Sequence, residues 1–284
     1  MRQTARLKYK QKGIAIKFTD DHLQMFREQG YTILYDALSD DACLEIGTEL
    51  RKLLPPWDEL KADPPEQRSD GVPFPYPSLA LNRFLVNPGL MAFIKRILDN
   101  EHVHYRGGNS IVRYPGETLG TDQGWHIDNV NNSLLPPSDD KRYGQVVMWY
   151  WPEAVRADQG PFRLIPEPHG QDSSKQVMLD LPANSIALFH NYLWHTATDF
   201  TGPEGQRYSH AGIYGLADFY WEGLMNYTDK GNKKDFKELI SSLTAREREY
   251  FRFPAPGHPY YTEKTLALLE EQYTGWNASG DYSL

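Results

Sequence analysis

The apolar positions of this chain change their period twice. Between about residues 19 and 54 they recur at helical spacing. Leu23 and Phe26 mark one face of a helix that Thr19 caps, with Asp20 and Asp21 in its first turn and Gly30 just past its end. Tyr31 to Tyr35 reads as a short strand. Ser39 caps a second helix with Leu44, Leu50, Leu53 and Leu54 as its apolar positions, and Pro55-Pro56 stops it. Residues 55–78 hold seven prolines and read as a long surface loop. Pro88 to Leu98 reads as a third helix. From about residue 103 the pattern becomes one of short β-prone runs separated by Gly, Pro, Asn and Asp. These runs are 103–105, 110–114, 125–128, 145–151, 162–165, 176–181, 185–189 and 208–216. After about 230 the helical period returns, with Thr244 and Thr262 as N-caps and Leu266, Leu268 and Leu269 as apolar surface. The pattern predicts a mainly β fold, a sandwich or barrel, with helices before and after it in a single domain over 1–284.

Composition narrows the function classes. The 284 residues carry 30 Lys+Arg and 38 Asp+Glu, a net charge of −8, which disfavours a nucleic-acid partner. The charge is uneven: residues 1–17 form a basic arm of +6 without an acid, so the remainder is −14. A mean hydropathy of −0.63 and the lack of a long apolar run argue against a membrane span. No secretory signal is expected at the N-terminus. The single Cys, Cys43, cannot form a disulfide within the chain, and a reducing, cytoplasmic setting is expected.

Chemistry concentrates in the β region. In Trp125-His126-Ile127-Asp128-Asn129, His126 and Asp128 are two apart, so a strand would present both on one side. Together with one more His they would make the 2-His-1-carboxylate facial triad of non-haem Fe(II) oxygenases. Downstream, the strand Ser185–Phe189 is followed by two histidines, His190 and His195, either of which could complete the set. Arg207 lies beyond them on the next strand, where a guanidinium can pair a carboxylate in bidentate fashion. An ordinary strand end and a surface arginine are the bland alternatives for each part alone. The order His-x-Asp, His, Arg is more specific than any part.

These segments resemble the phytanoyl-CoA dioxygenase family of Fe(II)/2-oxoglutarate-dependent oxygenases, over about residues 22–216. Phe26-Arg-Glu-Gln-Gly30-Tyr31, with Leu34 and Leu38-Ser39, resembles the family's N-terminal helix and first strand. Trp125-His126-Ile127-Asp128 resembles its iron motif. Gly160 to Gly170 resembles its turn, with Glu167-Pro168 where the family has Gly-Ser before His169. Leu188-Phe189-His190-Asn191, His195 and Arg207 resemble its last ligand and its cosubstrate arginine, with intervals of 69 residues from His126 to His195 and 12 from His195 to Arg207.

The resemblance implies a double-stranded β-helix, a cupin-like jelly-roll with its core over about 103–216 and a C-terminal helical extension over about 230–284. It selects His195 over His190 and implies Fe(II) held by His126, Asp128 and His195. It implies 2-oxoglutarate paired by Arg207, and O2 as co-reactant. Ser209, two residues past Arg207, would add a hydrogen bond, and Arg113 would meet a carboxylate of cosubstrate or substrate if it points inward. Asn129 and Trp149 are candidate substrate contacts. His190 reads as a core histidine and His169 as a turn residue. The activity so implied is hydroxylation or another oxidation of an unactivated carbon of a small polar or natural-product metabolite, with release of succinate and CO2. An intact Asp128 speaks against halogenation. The competing readings are an acyl-CoA hydroxylase, a cupin-like metal-dependent isomerase or hydrolase, and a non-catalytic binding module.

Overall fold

The computed structural model describes residues 16–64, 71–117, 124–127, 144–217, 234–251, 253–258, 261–273 and 275–282. Helix α1, Asp20–Gln29, starts where Thr19 and His22 close a capping box, and it ends at Gly30, whose φ of 76° suits a residue without a side chain. Strand β1, Tyr31–Leu34, follows at once. Helix α2, Asp40–Leu53, buries Ala42, Ile46, Gly47 and Leu50. Leu44 corrects the expected stripe: it is 66% exposed, because it lies roughly 200° around the helix from Ala42 at 3.6 residues per turn.

The stretch 55–78 is not a surface loop throughout. It contains a short helix α3, Trp57–Leu60, and strand β2, Val72–Pro73. Its Phe74 and Tyr76 are fully buried, with Phe74 packed on Tyr105 and Phe251. Proline content misled the reading because these aromatic rings, not the prolines, decide where the segment lies. Helix α4, Leu79–Phe84, precedes α5, Pro88–Leu98, which starts on the Asn87 cap and the N-terminal proline.

Strands β3, Val103–Gly107, and β4, Asn109–Arg113, lead towards the centre of the molecule. There follow β5, Val146–Trp151; β6, Arg163–Leu164; β7, Val177–Met178; β8, Ser185–His190; β9, His195–Thr196; and β10, Arg207–Leu216. Helices α6, Lys234–Ser242; α7, Ala245–Glu249; α8, Glu263–Gln272; and α9, Ala278–Asp281, close the chain. Thr244 and Thr262 cap α7 and α8 through capping boxes.

The strands form two antiparallel sheets. The larger runs β1-β8-β5-β10-β4-β2, with β3 also on β10, and the smaller runs β7-β6-β9. This arrangement is a jelly-roll with flanking helices. Strand alternation divides the core in two. One face of the large sheet, with Met148, Tyr150, Ile186, Leu188, Tyr208 and Tyr214, packs on the helices. The other face, with Val147, Trp151, Ala187 and Phe189, packs on Leu164, Leu179 and Leu193 around the small sheet. The space left between the two sheets is where the candidate site lies. No helix among the described residues is long and apolar enough to cross a membrane.

Candidate active site

The two histidines of the expected triad come together through backbone pairing. His126 and His195 form an antiparallel bridge and exchange both hydrogen bonds, with N···O distances of 3.1 and 3.0 Å. Directly opposed residues of such a pair project to the same side. Their rings lie 4.5 Å apart between centroids. His195 also pairs Leu164 of β6, so the small sheet fixes it from both sides. Only His126 forms a bridge within residues 124–127, so the strand expected from Trp125 is much shorter there. Asp128 and Asn129 lie outside the described residues.

Each ring is oriented by the backbone two residues before it. Nδ1 of His126 is 2.7 Å from Gly124 O, and Nδ1 of His195 is 2.9 Å from Leu193 O. A carbonyl only accepts, so both Nδ1 atoms carry the proton, and Nε2 is the acceptor nitrogen of each neutral ring. This is the tautomer a metal-binding imidazole needs, with its second nitrogen anchored to a carbonyl. The donor chemistry of two such imidazoles, with Asp128 two residues after His126 in the sequence, fits a divalent iron, although the described residues alone hold no three-ligand group.

A cavity of about 310 Å³ opens beside them. His126, His195, Arg113, Arg207, Gln145, Trp149 and Phe162 line it, and its described lining includes no carboxylate. Arg207 is 2% exposed. Its Nη1 donates to Gly160 O, and its guanidinium lies over the Phe162 ring, 5.0 Å from the centroid. The flat aromatic face holds the charge in place while leaving the cation able to meet an anion.

Arg113 also faces this cavity. In the β4–β10 register it stands directly opposite Arg207. Two like charges across a strand pair repel unless counter-charges intervene. Glu117 supplies one: its Oε2 accepts from Arg113 Nη1 at 3.0 Å, with both side chains largely buried. Ser209 shares the face of Arg207, but its hydroxyl donates to Ile111 O at 3.3 Å, and it does not line the cavity.

Trp149 does line the cavity, edge-on to Phe162 at 4.8 Å. His190 is buried on the alternate face from Phe189 and accepts from the Tyr192 amide. His169 is exposed, at the end of a single 3-10 turn. Sequence reasoning missed three participants. Phe162, within the segment Gly160 to Gly170, was legible as part of the turn but not as the ring beneath Arg207. Glu117 and Gln145 carried no signal, since single polar residues beside a strand have no period to betray them.

No family model matches the sequence, and no curated protein matches it. The likeness that exists is structural. The fold is shared with solved non-haem α-ketoglutarate-dependent enzymes. The carbocyclase SnoK from nogalamycin biosynthesis superposes with a TM-score of 0.54 at 16% identity, covering 76% of this chain and 91% of SnoK. HygX from Streptomyces hygroscopicus, with nickel and 2-oxoglutarate bound, gives 0.54 at 14% identity over 77% of this chain and 93% of HygX. The nickel complex of the non-haem monooxygenase ThoJ gives 0.54 at 18% identity over 82% and 99%. At such identities the likeness is one of fold.

Proposed function

We propose that this protein is a non-haem Fe(II)- and 2-oxoglutarate-dependent oxygenase acting on a small molecule. The observation that carries the reading is the opposed pair His126 and His195, both held in the Nδ1-protonated tautomer, in one cavity with the buried Arg207. SnoK, HygX and ThoJ, described as α-ketoglutarate-dependent, 2-oxoglutarate-bound and a non-haem monooxygenase respectively, support it through the shared fold.

His126 and His195 would hold the metal through Nε2, and Asp128 would add the carboxylate. Fe(II) with 2-oxoglutarate and O2 supplies, when bound, oxidation of a C–H bond coupled to loss of CO2 and formation of succinate. Arg207 pairs the distal carboxylate of the cosubstrate, and the Phe162 ring keeps that guanidinium from turning away. Arg113, tied to Glu117, adds positive potential opposite Arg207 and favours a dianion in a chain whose overall charge is negative. Trp149 and Phe162 wall the cavity with apolar surface and exclude water, which strengthens each of these charge contacts. Hydroxylation is the outcome we assign first, on a natural-product or other small polar scaffold, with Asn129 near the substrate.

The test is 2-oxoglutarate turnover to succinate by the iron-loaded protein under air, with wild type compared against His195→Ala. Iron-dependent succinate release that the variant lacks is the expected result. No 2-oxoglutarate binding to the Mn(II)-loaded wild type would sink the reading.

A further inference from the structure

One buried polar side chain of the cavity lining is left unused by that mechanism. Gln145 is 4% exposed and lines the cavity with its strand neighbours Val147 and Trp149. Its backbone is fully engaged: its N donates to Asn191 Oδ1 at 2.8 Å, and its carbonyl accepts from the Asn191 amide at 3.0 Å. Its side-chain Nε2 is buried without a hydrogen-bond partner among the described residues. A buried amide donor left in this state is costly, whereas an apolar side chain of the same shape is not. Retaining a carboxamide there makes sense if an oxygen acceptor arrives with a ligand.

The register says which ligand. Along β10, Ala211 pairs Trp149 and Ile213 pairs Val147, so Gln145 lies a further two residues beyond Ile213. Trp149 to Gln145 is four residues, roughly 14 Å at about 3.4 Å per residue. Phe162, the ring under Arg207, packs on Trp149. The His195 ring is 4.9 Å from Phe189, which pairs Val147. The order along the cavity is therefore Arg207, then His195, then Gln145. A short diacid that starts at Arg207 and reaches the histidines is spent before Gln145. We infer that Gln145 is a substrate-binding residue, whose Nε2 donates to a carbonyl-type oxygen of the organic substrate on the side of the histidines away from Arg207.

This assignment rests on the oxygenase reading, and its test separates the two. The protein is loaded with Mn(II) and 2-oxoglutarate, and a matched pair of probes, cyclohexanone and methylenecyclohexane, is followed by the paramagnetic relaxation that bound Mn(II) imposes on their proton signals. Wild type should relax the ketone at least five-fold more strongly than the alkene. Gln145→Leu should abolish the difference, leave 2-oxoglutarate affinity within two-fold, and have an unfolding temperature no lower than wild type. A merely structural glutamine would instead lower that temperature. Equal relaxation of the two probes by wild type, or a preference retained in Gln145→Leu, overturns the assignment while the oxygenase reading stands. Failure of wild type to bind 2-oxoglutarate at all overturns both.

Discussion

His210 offers a quantitative test of the packing behind the site. It alternates with Ser209 and Ala211 on β10 and so faces the helices, away from the cavity. It is fully buried between Tyr76 and Phe84, with ring centroids 5.0 and 5.5 Å away. Its Nε2 donates to Leu81 O at 3.2 Å, so Nδ1 is the acceptor and takes the Ser110 hydroxyl at 2.9 Å. The neutral ring is thus satisfied at both nitrogens. Tyr76, the titratable neighbour, has its hydroxyl pushed upward by burial and offers no negative charge. Burial lowers the pKa of His210 from 6.5 to about 4, against a smaller opposing effect of the Leu81 carbonyl.

The sign follows from linkage. A group whose pKa is depressed on folding stabilises the fold above its unfolded value and loses that contribution as pH falls towards its folded value. At about 1.4 kcal/mol per pH unit the full effect approaches about 3 kcal/mol, and about 2 kcal/mol of it is gone by pH 5. The assay is urea unfolding of wild type and His210→Gln at pH 7 and pH 5. The glutamine variant starts less stable but should lose about 2 kcal/mol less than wild type between the two pH values. Parallel losses in the two proteins would refute the reasoning.

Further outcomes follow from the cavity and its frame. Arg207→Gln should weaken 2-oxoglutarate binding to the Mn(II)-loaded protein by about 10- to 100-fold, the loss of a hydrogen bond between charged groups, read by calorimetry. His126→Ala should abolish Mn(II) binding, read by electron paramagnetic resonance, with little change in unfolding temperature, because the ring sits at a cavity edge. Gly108→Ala should cost about 1–3 kcal/mol in urea unfolding, since an added Cβ would lie 2.0 Å from the Ala211 carbonyl oxygen and force β4 off β10. Asp281→Asn should destabilise the C-terminal helices, because Asp281 accepts from both the buried Arg248 at 2.8 Å and Trp276 at 2.7 Å; limited proteolysis would show faster cleavage there.

Local chemistry was enough for much of the frame. Capping residues and their acidic neighbours placed α1, α2, α7 and α8, because a cap acts within one helical turn. Unbroken β-prone runs bounded by turn residues placed β5, β8 and β10, because strands buried on both faces read as continuous apolar segments. The same locality explains the errors. Leu44 was counted as core on residue type, although its angle around α2 faces solvent. Phe74 and Tyr76 were lost among prolines, because their burial depends on Phe251 and His210, far along the chain.

For the site, the sequence by itself determined which residue types were present and in what order: His126, Asp128, His195 and Arg207. Only the tertiary structure decided that His126 and His195 oppose each other across one bridge with their Nδ1 protons fixed. It alone placed Arg113 opposite Arg207, set Phe162 beneath that guanidinium, spent the Ser209 hydroxyl on a carbonyl, and left the Gln145 amide nitrogen buried beside the cavity without a partner among the described residues. The reason is register. Which strand lies beside which, and at what offset, is fixed by long-range pairing and burial that no local window of sequence contains.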